Sequence, residues 1–237
     1  MRRIFIAALS AVIIELLPAF TESTQTNSLP RVMLQAKTGL KSFSPGQPLS
    51  YVITVEDKED GSSKYEEIAG TEVYLEIRFL PDSGQAKKFL DQRVAEAPVL
   101  QAMKKGNCFN CHGINRKLAG PPFAEVLARH AAKPGLTDYL AGKIIQGSKG
   151  VWGDTQVMPS HPELTKEQAV EIAAWIRKKG TDPAYEIQTG LAGKFSTVAA
   201  AAAGKSSAYL LIASYLDHGI NGTQNLEAKQ VLMLANK

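Results

Sequence analysis

Cysteine is nearly absent from this chain. Two residues in 237 allow at most one disulfide, which excludes a small disulfide-stapled fold. A structural zinc site needs four protein ligands, and besides the two thiols the chain offers only four histidines. Aromatic residues are sparse, at 7%. Charge of one sign is also lacking: Lys+Arg number 27 against Asp+Glu 23. No basic stripe with interleaved aromatics exists, so no nucleic-acid partner is implied. Long apolar runs are missing too, apart from Ile4 to Leu17, which Glu15 interrupts and which is short for a bilayer span.

The two cysteines stand together in Cys108-Phe109-Asn110-Cys111-His112. Cys-x-x-Cys-His is the attachment spacing for a c-type haem. Thiols three residues apart on one helical turn reach the two vinyl groups on one side of a porphyrin, and the adjacent His112 becomes the proximal ligand of iron. A redox dithiol would need neither the trailing histidine nor a downstream methionine. One covalent haem c per chain is the expectation. The second axial ligand is expected from Met158, in Val157-Met158-Pro159, where the proline stiffens the loop.

Between the ligands the sequence reads as short helices. One follows Pro121-Pro122 and runs to His130; a second starts at Thr137 as N-cap and stops at Gly147. A third has the capping box Thr165 to Gln168, apolar Ala169, Ile172, Ala173 and Ile176, and a basic end at Lys178-Lys179-Gly180. A helix over Val99 to Lys105 precedes the motif. Residues 97–181 are therefore expected to form a small all-α haem domain.

Residues 100–180 resemble a class I bacterial cytochrome c of the c-551/c-552 type. The resemblance rests on Cys108 to His112, Gly120-Pro121, the run Lys143 to Gly153, Met158-Pro159 and the closing helix with Trp175. It implies that the Gly120-Pro121 region packs on His112, and that Lys143 and Trp152 bind haem propionates. The Trp152–Met158 loop is one residue longer than the family pattern. His161 stands where the family often has an amide that bonds the methionine sulfur, so it could tune the iron or replace Met158; an ordinary loop histidine is the plainer reading.

The flanks have β character. Tyr51 to Val55 is β-branched, and Val73, Leu75, Ile77 and Phe79 alternate with Tyr74, Glu76 and Arg78, the period of a half-buried strand. Asp57 to Gly61 reads as a hairpin turn, with calcium the alternative. Residues 30–82 hold too few strands for a sandwich of about seven. Residues 189–205 read as a Gly/Ala-rich connector. Residues 206–237, with Tyr209, Leu211, Ala213 and Tyr215 alternating, could complete the sandwich.

The fold class is thus α+β and multidomain: a cytochrome c haem domain inserted in, or flanked by, an Ig/PKD-like β-sandwich. That arrangement resembles multidomain secreted cytochromes associated with quinoprotein sugar dehydrogenases. Residues 1–22 read as a secretory signal, which implies a periplasmic or secreted protein, with membrane attachment only if the signal is retained. The function expected is single-electron transfer rather than enzymatic catalysis. A quinoprotein dehydrogenase would be the donor and an oxidase or another cytochrome the acceptor. The alternative is a haem sensor or peroxidase with an open sixth position.

Overall fold

A computed structural model describes residues 26–36, 41–220 and 222–237; the expected signal at 1–22 lies outside them. The chain runs β1 (Arg31–Ala36), β2 (Ser42–Phe43), β3 (Pro48–Asp57), β4 (Gly61–Ser62), β5 (Val73–Leu80), then α1 (Ala86–Ala95) to α6. The helices are α2 (Ala97–Lys105), α3 (Cys108–Cys111), α4 (Phe123–His130), α5 (Leu136–Gln146) and α6 (Lys166–Lys179). A small ladder of β6 (Ser148–Lys149) and β7 (Val157–Met158) separates α5 from α6. The chain then returns to strands: β8 (Tyr185–Thr189), β9 (Ala192–Ser196), β10 (Ala208–Leu216) and β11 (Glu227–Asn236).

Two sheets result. One has the order β2-β11-β10-β5-β8; in the other, β3 pairs with β1, β4 and β9. The C-terminal segment pairs directly with the N-terminal one: Tyr209 lies opposite Phe79, Leu211 opposite Ile77 and Ala213 opposite Leu75. These side chains share one core with Leu34, Ile53 and Val55 of the facing sheet, each fully buried apolar side chain contributing about 1.5–3 kcal/mol.

Three sequence expectations change here. The alternation in β5 predicts one wet face, yet Tyr74 and Glu76 are buried at 2% and 0% exposure. The reason is that Tyr74, Leu210 and Ile212 belong to a second core with Leu100, Met103, Phe109 and Trp175 of the helices. The sheet is thus covered on both faces. The connector at 189–205 contains strand β9, whose Leu49–Phe195 and Tyr51–Gly193 registers place it on β3; Gly193 is required there, since a Cβ would stand 2.6 Å from the Tyr51 hydroxyl. Thr137 does not cap α5. Gly135, at φ +60°, occupies the N-cap, and the Thr137 hydroxyl instead accepts from Arg177 at 2.6 Å.

The helices stop where their sequences say they must. Pro98 cannot continue α1, because its ring would meet the carbonyl four residues back, so the chain breaks at Glu96 and restarts as α2. Glu96 then accepts from Trp175 Nε1 at 3.3 Å and Lys178 Nζ at 3.1 Å, fastening α6 to this corner. The Thr165 capping box forms with both of its hydrogen bonds. In the β3–β4 turn, Asp57 accepts from the backbone of Glu59 and Asp60, which spends one of its oxygens on the turn itself.

Candidate functional site

α3 is a single turn, entered through Asn107 in the left-handed region at φ +53°. It presents Cys108 and Cys111 on one turn, and neither is in a disulfide. Burial pushes the Cys108 thiol up to about 12, the opposite of the lowered thiol a redox dithiol needs.

His112 follows directly. Its Nδ1 lies 2.7 Å from the Pro121 carbonyl. A carbonyl can only accept, so Nδ1 carries the proton and Nε2 keeps its lone pair, the second-shell arrangement of an iron-ligating imidazole. The ring stacks on Phe123 at 5.2 Å and 16°. Gly120 makes this approach possible, since a Cβ there would stand 2.7 Å from His112 Cε1. Burial lowers the His112 pKa, with the Pro121 bond opposing, so the neutral ring is favoured.

A cavity of about 330 Å³ opens on this histidine. It brings together Cys111, His112, Gly120, Pro121, Lys143, Trp152 and Met158, with Leu140 and Ile144 supplying apolar wall. Met158 is held on β7 opposite Ser148 of β6. Lys143 Nζ sits 5.7 Å from the Tyr139 ring, and the Arg129 guanidinium covers Trp152 at 4.7 Å. Cys108 is partly buried against the helical core rather than in the cavity wall. His161 is outside the wall as well: its Nδ1 turns to Glu163 at 2.8 Å.

Sequence reading did not find Arg129, His130 and Tyr139. The last two line the cavity and pack together at 5.0 Å. The signal was there in principle, as two polar aromatic rings standing among apolar helix positions. The donor set fits haem c: two thiols on one turn, an imidazole oriented through its far nitrogen, and an apolar cavity that also takes a thioether.

A family model for cytochrome c matches residues 99–179. Cytochrome c-552 of Hydrogenobacter thermophilus is 38% identical over 76 residues, covering 32% of this chain and 76% of that protein. Cytochrome c-551 of Ectopseudomonas mendocina is 41% identical over 76 residues, with 32% and 90% covered. The chain belongs to the cytochrome c family. Its helical segment is a class I c-type cytochrome domain of the c-551/c-552 type, and the crystal structure of Nitrosomonas europaea cytochrome c552 is similar at 38% identity, covering 33% of this chain and 96% of that one with a TM-score of 0.31. The family carries covalent haem c, binds iron through it and transfers electrons. Apart from the short β6–β7 ladder, the β strands of this cytochrome c lie on either side of the matched residues.

Proposed function

We propose that this cytochrome c carries single electrons through one haem c joined to Cys108 and Cys111, with His112 and Met158 as axial ligands. The observation that carries the reading is the 2.7 Å contact from His112 Nδ1 to the Pro121 carbonyl, which leaves Nε2 as the only ring nitrogen able to ligate, beside a cavity that also contains Met158. Haem c, once bound, supplies a one-electron Fe(II)/Fe(III) couple. The residues do the rest. Gly120 and Phe123 fix the imidazole plane, Leu140 and Ile144 exclude water, and Lys143 and Trp152 are positioned to neutralise propionates. His161, its Nδ1 paired with Glu163 and its ring outside the cavity wall, is not assigned as a ligand.

The protein works in the periplasm or outside the cell, where thioether attachment takes place. Its donor is a dehydrogenase of the quinoprotein type, and its acceptor an oxidase or another cytochrome. The β strands form an Ig/PKD-like unit into which the cytochrome domain is inserted, and that unit spaces or docks the haem. Pairing of β5 with both β8 and β10 supports the insertion, because chain ends that leave neighbouring strands let a compact domain sit within another.

The test is direct. Wild-type protein should keep one haem on a denaturing gel and by mass, and a Cys108→Ala/Cys111→Ala chain should lose it. Haem retained by the double variant under denaturation would overturn the assignment.

A further inference from the structure

A second cleft opens where β8 and β9, consecutive in the chain, part to join different sheets. It has a volume of about 420 Å³ and is lined by both sheets together with Arg116, from the loop that follows His112. Pockets at such meetings of two units are common ligand sites. The floor is aromatic: the Tyr209 ring lies 5.3 Å from Phe79 and 5.2 Å from Phe195.

Acceptors in the wall are already engaged. Gln188 Oε1 accepts from the Tyr51 hydroxyl at 3.2 Å. The Glu186 carboxylate accepts from the backbone of Ile114, Asn115 and Ile187. The cations are not engaged: Arg116 and Lys194 line the cleft and form no ion pair with any carboxylate among the described residues. Even with Glu186 counted, the lining carries an excess of positive charge over an apolar floor.

We propose that this cleft binds a small aryl carboxylate, its ring on Tyr209, Phe79 and Phe195 and its carboxylate between Arg116 and Lys194. A neutral aryl compound would leave both cations unpaired, and an aliphatic dianion would leave the aromatic floor without a partner. A ring against these edges gains aromatic contact, and the carboxylate gains charge-assisted hydrogen bonds. Because Arg116 hangs from the His112 loop, the occupant touches the haem-bearing segment and the β strands at once.

The probe is 3-phenylpropionate, titrated into the holoprotein at low salt by calorimetry and by amide NMR, with 3-phenylpropanol as the uncharged control. The carboxylate should bind about tenfold tighter than the alcohol, and shifts should concentrate on β8, β9 and residues 114–117. Arg116→Gln and Lys194→Gln, both at exposed positions, should each weaken the carboxylate about fivefold, the scale of one exposed ion pair, and leave the alcohol unchanged. Phe195→Ala should weaken both compounds. Equal binding of acid and alcohol, indifference to both charge variants, or binding of neither compound would overturn the proposal.

Discussion

Arg93 on α1 and Glu76 on β5 form a buried ion pair, with Nε 2.7 and 2.9 Å from the two carboxylate oxygens. Neither side chain is more than 3% exposed. The pair does not stand alone. Arg93 also reaches Glu227 at 3.2 Å, Lys104 donates to Glu227 at 2.5 Å and to Ser214 at 2.7 Å, and the Tyr185 hydroxyl donates to Glu76 at 2.7 Å. Lys229 reaches the other Glu227 oxygen at 3.3 Å from β11, so the two buried carboxylates at the seam between the helices and the sheet are shared by the buried Arg93 and Lys104 and this partly exposed lysine. Replacing such a network by well-packed apolar groups is often neutral or stabilising, whereas removing one partner strands a buried charge.

Removing one charge should therefore be costly. Glu227→Gln leaves Lys104 and Arg93 with one carboxylate between them, and the expected loss is about 3–5 kcal/mol of unfolding free energy. Denaturant melts followed by circular dichroism read this, with the haem bands checking that the cavity is intact. A change below about 1 kcal/mol would mean that the network is slack.

The same network sets an acid limit. Burial works against the Glu227 carboxylate, but Lys104 and Arg93 outweigh it and pull its pKa down to about 2. Burial likewise drives Lys104 toward losing its proton, opposed by Glu227 and Glu76; the short contacts to Glu227 and Ser214 are those of the charged ammonium. A carboxylate depressed on folding contributes stability above its unfolded value and loses it as pH falls toward the folded one. Stability should fall between the ordinary value of 4.5 and about 2, and the Glu227→Gln variant should show a shallower fall over that range.

At Met158 the expected outcome is spectroscopic. Met158→Ala should open the iron to carbon monoxide, remove the sulfur-to-iron band of the oxidised protein and lower the potential. His161→Ala should do none of these. If the two variants exchange behaviours, the ligand assignment is wrong.

His218 gives a prediction of opposite sign. Its Nε2 contacts Glu72 at 3.0 Å and its Nδ1 contacts Asp60 at 3.2 Å. The Glu72 hydrogen bond, aided by Asp60 and opposed by partial burial, raises its pKa above 6.5. A raised histidine contributes below its unfolded value and is lost as pH rises through the folded one. Amide exchange in residues 217–220 should accelerate as pH climbs above 6.5, beyond the intrinsic rate, and His218→Gln should remove that excess.

Legibility in the sequence followed the range of the interactions. The Cys108 to His112 spacing, the Thr165 capping box and the apolar face of α6 are local, and all three could be read directly. The pairing of β5 with β10 was suggested by two incomplete alternating runs, each needing an edge. What stayed hidden was non-local. Tyr74 and Glu76 looked solvent-facing because their cover comes from α1 and α2, where Arg93 and Lys104 look like ordinary surface charges until the four are brought together. Strand β8 was hidden by its five-residue length, and β9 by its length and Gly193; each exists because a longer strand, β5 or β3, supplies its partner. Beside the cavity, Arg129 was invisible because its contact with Trp152 crosses from α4 to a distant loop.

The position of β5 also fixes an order of events during synthesis. Both its sheet partners, β8 and β10, come later in the chain than the whole haem-bearing segment. As the chain emerges from its amino end, a strand with seven of its eight residues buried in the finished protein has neither edge satisfied until some hundred residues have followed. Pairings this distant in sequence form slowly, and an unpaired apolar strand is the part of a nascent chain most prone to aggregate. One face of β5 can pack on β1 and β3, which precede it, and the helices that cover the opposite face, with Tyr74, are also made before either strand that pairs with its edges.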